Sequence, residues 1–151
     1  MSYRLLTPEL IEAIHDSILN TGELQGRARD KSLEGALARV SNRLAYSLIT
    51  DVFDLAAAYA LAIARGHCFN DGNKRTAFQA MDVCLDLHGV QITWNTEDVA
   101  DVIIRAAQGL VDEPTLADWL RGQGEARGGG TVLDLSRLPK RVRAKKTPHP
   151  K

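Results

Sequence analysis

Residues 67–75 read His67-Cys68-Phe69-Asn70-Asp71-Gly72-Asn73-Lys74-Arg75, which gathers a base, a carboxylate, a glycine turn and two cations into nine positions. These are the parts needed to transfer a phosphate-bearing group. An imidazole ordinarily titrates near neutrality, so His67 is suited to take the proton of an attacking hydroxyl as general base. Asp71 offers the hard oxygen that Mg²⁺ accepts alongside nucleotide phosphates and water. Gly72 permits close backbone approach, and the amides after it can form an anion nest at a helix start. Lys74 and Arg75 put a point charge and a planar fork where phosphate oxygens would lie. Two cations at a helix start oppose the macrodipole, which favours an anionic ligand over a purely structural cap. Asn73 is placed to cap that helix or brace the turn, Thr76 is a candidate phosphate contact that reads more readily as a core or solvent-facing residue, and Phe69 anchors the loop in the interior. A lone histidine is more often structural, but four further residues at fixed spacing reverse that ranking for His67. His15 and His88 lack such company and read as structural.

The elements around the motif follow from apolar spacing and caps. Thr7-Pro8 is an N-cap followed by proline at the first helical position, and Leu10, Ile11, Ile14, Ile18 and Leu19 recur at helical spacing until Asn20-Thr21-Gly22 stops them. Residues 21–32 read as a loop, and Leu33, Ala36, Leu37 and Val40 predict a short second helix. From Asp51 to Arg65 the chain is helical by composition, and Leu55 to Ala64 is apolar on every side, the mark of a core helix. Asn73 to His88 predicts a second, mostly buried helix with one polar stripe at Gln79, Asp82 and Asp86, closed by Gly89. Residues 90–94 are at most a short strand. Thr96 opens a helix through Val99, Val102, Ile103 and Ala106, and Asp112-Glu113-Pro114 introduces a last one around Leu116, Trp119 and Leu120. The expected fold is all-α, with the motif loop joining two central buried helices. Such a base holds reacting groups rigidly, as in-line transfer requires.

The chain of 151 residues, 44% hydrophobic and 25% charged, fits one globular domain with a sizeable core. Leu55 to Ala64 is too short to span a bilayer and no leader pattern is present, so a cytoplasmic location is expected. Cys68 and Cys84 lack metal-ligand spacing and read as reduced thiols, Cys84 as a small buried hydrophobe. A net charge of zero hides an asymmetry: residues 1–126 hold eleven Lys and Arg against eighteen Asp and Glu, a charge of −7, while the last twenty-five residues carry +7. With Gly128-Gly129-Gly130 at the change, the chain divides into a domain at 1–126 and a flexible basic tail at 127–151.

The pattern His67-x-Phe69-x-Asp71-Gly72-Asn73-x-Arg75 resembles the signature of the Fic/Doc family, and Asn73-Lys74-Arg75-Thr76 is closest to the Doc, or death-on-curing, toxins. Lys74 stands where Fic members have glycine, Phe78 where they have a second arginine, and Cys68 where they have proline. The resemblance covers roughly residues 5–122 and implies the same helical fold. It implies a toxin of a toxin-antitoxin pair that uses ATP and Mg²⁺. Fic members transfer AMP to a protein hydroxyl and use the second arginine on the nucleotide phosphates, a role Phe78 cannot fill. Doc proteins are instead kinases that present the γ-phosphoryl group from an inverted nucleotide, act on a threonine of translation elongation factor Tu and arrest translation. AMP transfer is the second reading, and a catalytically silent corepressor that binds antitoxin is the third. Self-inhibited Fic proteins carry Ser/Thr-x-x-x-Glu-Gly/Asn. The near match here, Glu34-Gly35, has Asp30 at the hydroxyl position. Inhibition is therefore expected in trans, by a Phd-like antitoxin whose C-terminal segment folds into a groove. Contact with nucleic acid is expected only through that antitoxin, or weakly through the basic tail. Gly26-Arg27-Ala28-Arg29-Asp30 resembles a Gly-x-Arg-Asp segment of Doc-like proteins and reads equally as a flap that positions a target chain or as a loop with exposed arginines.

Overall fold

The computed structural model describes residues 3–126, which form six α-helices. They are α1 (Pro8–Ile18), α2 (Leu33–Ala45), α3 (Val52–Gly66), α4 (Asn73–Leu87), α5 (Thr96–Ala107) and α6 (Glu113–Ala126). The all-α expectation holds. The second helix is longer than its apolar residues predicted, because past Val40 it continues through a mostly polar turn, with Leu44 packed on the core and Arg43 paired with Glu113, and reaches Ala45. The tail at 127–151, with its basic run, lies outside the described residues.

Helix α3 is the axis of the domain. Leu55 through Leu61, with Ile63 and Ala64, are buried, and helices α2, α4, α5 and α6 all pack on it. Its alanines keep the cylinder thin enough for four neighbours to approach, while Leu55, Ile63, Met81, Leu85, Leu116 and Trp119 fill the space between helices. At the far end from the motif, Arg121 of α6 donates to both Asp51 and Asp54 at the start of α3. At the near end, the Arg65 guanidinium donates to the carbonyls of Ala106 (2.8 Å) and Val111 (2.6 Å), closing the last turn of α5 and the chain beyond it. Burial pushes the Cys84 thiol up to about 12, in keeping with an inert core residue.

Residues 90–94 form no strand. The Val90 backbone amide donates to Leu85 O (2.9 Å), the Trp94 indole to Asp82 (3.0 Å) and the Gln91 side chain to Asp86 (3.0 Å), so the segment runs back along the polar stripe of α4. An alternating pattern becomes a strand only beside another strand, and here the neighbour is a helix.

Candidate phosphate-transfer site

The motif occupies the turn from α3 into α4. Helix α3 ends at Gly66, but the left-handed residue that closes it is His67, at φ 50°, ψ 42°. Glycine is the usual occupant of that conformation, because a side chain there crowds the backbone. His67 is exposed at this corner.

Four sets of contacts hold the loop after it. Cys68 and Phe69 are buried. The Asn73 side chain returns to Phe69, accepting from its amide (3.1 Å) and donating to its carbonyl (2.8 Å). Of the two roles expected for Asn73, the structure assigns the bracing one, and Gly72 at φ 78° takes the N-cap position. Phe69 also forms an isolated antiparallel bridge with Arg27, in which Ala28 donates to Cys68 O (2.8 Å) and Asn70 to Gly26 O (3.1 Å). The Asn70 side chain adds a bond to Gln25 O (3.0 Å). Residues 26–28 thus lie beside the motif, joined to it by this one bridge, with Gly26 at φ 87° turning the chain into it. Arg27 itself is held by Glu12 and Glu34. Glu34, the residue nearest to a self-inhibitory pattern, is therefore committed to a structural ion pair.

The contact missed from sequence is His15. It is wholly buried at 0% exposure on α1, its ring stacks on Phe69 with centroids 3.9 Å apart and planes 9° apart, and its Nε2 lies 2.7 Å from Asp71 O. It is structural, as expected, but the structure it serves is the motif loop. His88 braces the opposite end of α4, where its Nδ1 donates to Cys84 O (2.7 Å) and its Nε2 accepts from the Arg4 backbone amide (2.9 Å).

Helix α4 begins unlike its neighbours. Thr7, Ser32, Asp51, Asn95 and Asp112 each accept an amide hydrogen at the starts of α1, α2, α3, α5 and α6, whereas no side chain caps α4. Uncapped amides at a helix start are free for an anion. Lys74 is exposed there, and Arg75 is half-buried, its fork donating to Ile18 O (2.9 Å) and to the Glu23 carboxylate. The Asn20 amide and Arg75 hold Glu23 below the usual carboxylate range. The Asp71 carboxylate accepts from the Leu24 amide (2.9 Å), so the segment after α1 contacts both Asp71 and Arg75. A cleft of about 860 Å³ along residues 16–26 is lined by Asp16 and Glu23 and by no cation, which makes it unsuited to phosphate.

Of the readings open for Thr76, the structure takes the core one over the phosphate contact. It is fully buried at 0% exposure, and its hydroxyl cannot reach a ligand at the surface. The first turn of α4 directs one residue in about four to the core, and here that residue is Thr76. Phe78, at the place of the second Fic arginine, packs edge-on against Trp94 (5.5 Å) and lines a groove of about 310 Å³ with Val99, Ala100, Ile103 and Ile104, rimmed by Lys74 and Arg75.

Among the described residues no three His, Cys, Asp or Glu side chains converge as a metal cage, and no helix is long and apolar enough to cross a membrane. A single carboxylate does fit Mg²⁺ brought by nucleotide phosphates, since that ion keeps waters and takes only one or two protein carboxylates.

Comparison with known proteins agrees with the geometry. Residues 5–85 match the Fic/DOC family. The chain is 40% identical over 119 residues to "Protein kinase doc" of Escherichia phage P1, an alignment spanning 78% of this chain and 94% of that protein. It is 34% identical over 104 residues to "Toxin Doc" of Mycolicibacterium smegmatis, spanning 68% and 74% of the two chains. The left-handed His67, the braced loop and the uncapped start of α4 are accordingly the motif of a chain that belongs to the Fic/DOC family, in its Doc toxin branch.

Proposed function

We propose that this protein is a toxin kinase that moves the γ-phosphoryl group of ATP to a serine or threonine hydroxyl of a translation factor, elongation factor Tu by resemblance, and so arrests translation. The observation that carries the reading is the uncapped start of α4 set between the exposed His67 and the exposed Lys74. In this scheme His67 accepts the proton of the attacking hydroxyl, a role worth about 10²–10⁴-fold in rate. The amides of Gly72, Asn73 and Lys74 receive phosphate oxygens, and Lys74 and Arg75 add positive charge. Asp71 would hold Mg²⁺, which supplies charge neutralisation on the phosphates. The Asn73 brace and the bridge at residues 26–28 keep these groups in one geometry without reorganisation during the reaction.

The placement of Phe78 supports phosphate over AMP transfer, because the position that would carry the second arginine is committed to packing on Trp94. Incubation with elongation factor Tu, Mg²⁺ and ATP labelled at either the α or the γ phosphate tests this. Label should move from the γ position only, and H67A should abolish it. Transfer from the α position would establish AMP transfer, and none from either, with tight antitoxin binding, would leave the corepressor role.

The regulator proposed is a Phd-like antitoxin. An amphipathic helix with acidic residues suits the groove over Phe78, Trp94, Val99 and Ile103, whose floor is apolar and whose rim is Lys74 and Arg75. Coexpression should relieve toxicity and yield a complex on gel filtration, and I104D, at an exposed position of the groove, should weaken both.

A further inference from the structure

We propose that His15 is a positioning residue for the reaction, one that sets which way the Asp71–Gly72 peptide faces. A trans peptide points its C=O and N–H in opposite directions. The Asp71 carbonyl is turned inward, 2.7 Å from the buried Nε2 of His15, so the Gly72 N–H is turned outward toward the start of α4. A carbonyl oxygen only accepts, so Nε2 carries the hydrogen.

Local sequence does not make this choice. Gly72, at φ 78°, adopts either sign of φ at little cost, so the peptide before it could turn over and present a carbonyl oxygen where an anion should bind. The Leu24 amide restrains the Asp71 carboxylate, which leaves the peptide plane to another group. His15 can impose the choice because its own ring is immobile: it is fully enclosed and stacked at 3.9 Å on Phe69, which Asn73 and residues 26–28 hold in turn. A Cβ on Gly72 would lie 3.6 Å from the His15 ring, so the two residues are in direct packing register.

The proposal rests on the phosphate-transfer reading for its consequence, and its structural core is measurable without nucleotide. H15F keeps an aromatic ring against Phe69 and removes the donor; H15Q keeps a donor and removes the ring. Amide exchange at Phe69 and Asn70, both hydrogen-bonded in the loop, is measured in the free proteins, with α3 and α5 as internal controls. Calorimetry then measures ATP binding in Mg²⁺. H15F should speed loop exchange at least tenfold while leaving α3 and α5 unchanged, and weaken ATP at least tenfold. H15Q should recover most of the ATP affinity. Unchanged loop exchange or native ATP affinity in folded H15F would overturn the proposal, as would H15Q binding ATP no better than H15F. Failure of the wild-type protein to bind ATP would instead remove the phosphate-transfer reading, and loop exchange would still decide the role of His15.

Discussion

His67 shows how stability and activity separate at a single residue. A non-glycine side chain at φ 50° is strained, and glycine at the same position relieves crowding while adding freedom to the unfolded chain. H67G should therefore keep the wild-type stability or exceed it by up to about 1 kcal/mol in urea melts, while losing transfer as completely as H67A. A marked loss of stability in H67G would show that the imidazole holds the fold. Asn73 stands at the opposite pole. Both ends of its side-chain amide bond Phe69, so N73A leaves an amide and a carbonyl in need of partners and should cost about 1–3 kcal/mol. It should also lower transfer in the folded fraction, because the loop that carries Asp71 loses its brace.

At the level of elements, the bare start of α4 is the informative departure. G72A places a Cβ 3.3 Å from Leu19 in a left-handed conformation, and should destabilise by about 1–2 kcal/mol with a parallel loss of nucleotide binding. Urea melts and calorimetry on one preparation check both. Five of the six helix starts were legible from their caps or apolar spacing, and the start of α4 from the motif. The pairing of residues 26–28 with 68–70 was not, because an isolated bridge leaves no periodic trace. At 90–94 the alternation allowed at most a short strand and none forms, since alternation records which side chains are apolar and a helix surface can receive them as well as a sheet edge.

Across the whole molecule, α3 makes the site possible. I63A, in a wholly buried position on that helix, should cost about 2–5 kcal/mol and leave transfer per folded molecule unchanged. The clasp of Arg121 on Asp51 and Asp54 gives stability a pH dependence. Burial alone would raise Asp54, but the Thr50 hydroxyl and amide together with Arg121 outweigh it and hold the carboxyl below its ordinary value of 3.8. A depressed carboxylate contributes stability that is fully present above its unfolded pKa and lost as pH falls through the folded one. Melting temperature should therefore hold from neutrality down to about pH 5 and fall below pH 4, with a shallower acid limb in D54N.

The amino-acid sequence by itself determined the helical class, the central apolar helix and the residues of the motif, because caps, apolar periodicity and a run of nine residues are local properties of a chain. Only the tertiary structure decided that His67 takes the left-handed corner, that Asn73 braces the loop, and that Thr76 and Phe78 belong to packing. It also brought His15 against Asp71 from 56 residues away. Such contacts depend on how α1 lies across the start of α4, and that arrangement is set by burying apolar faces together, a sum over the whole core that no local pattern encodes.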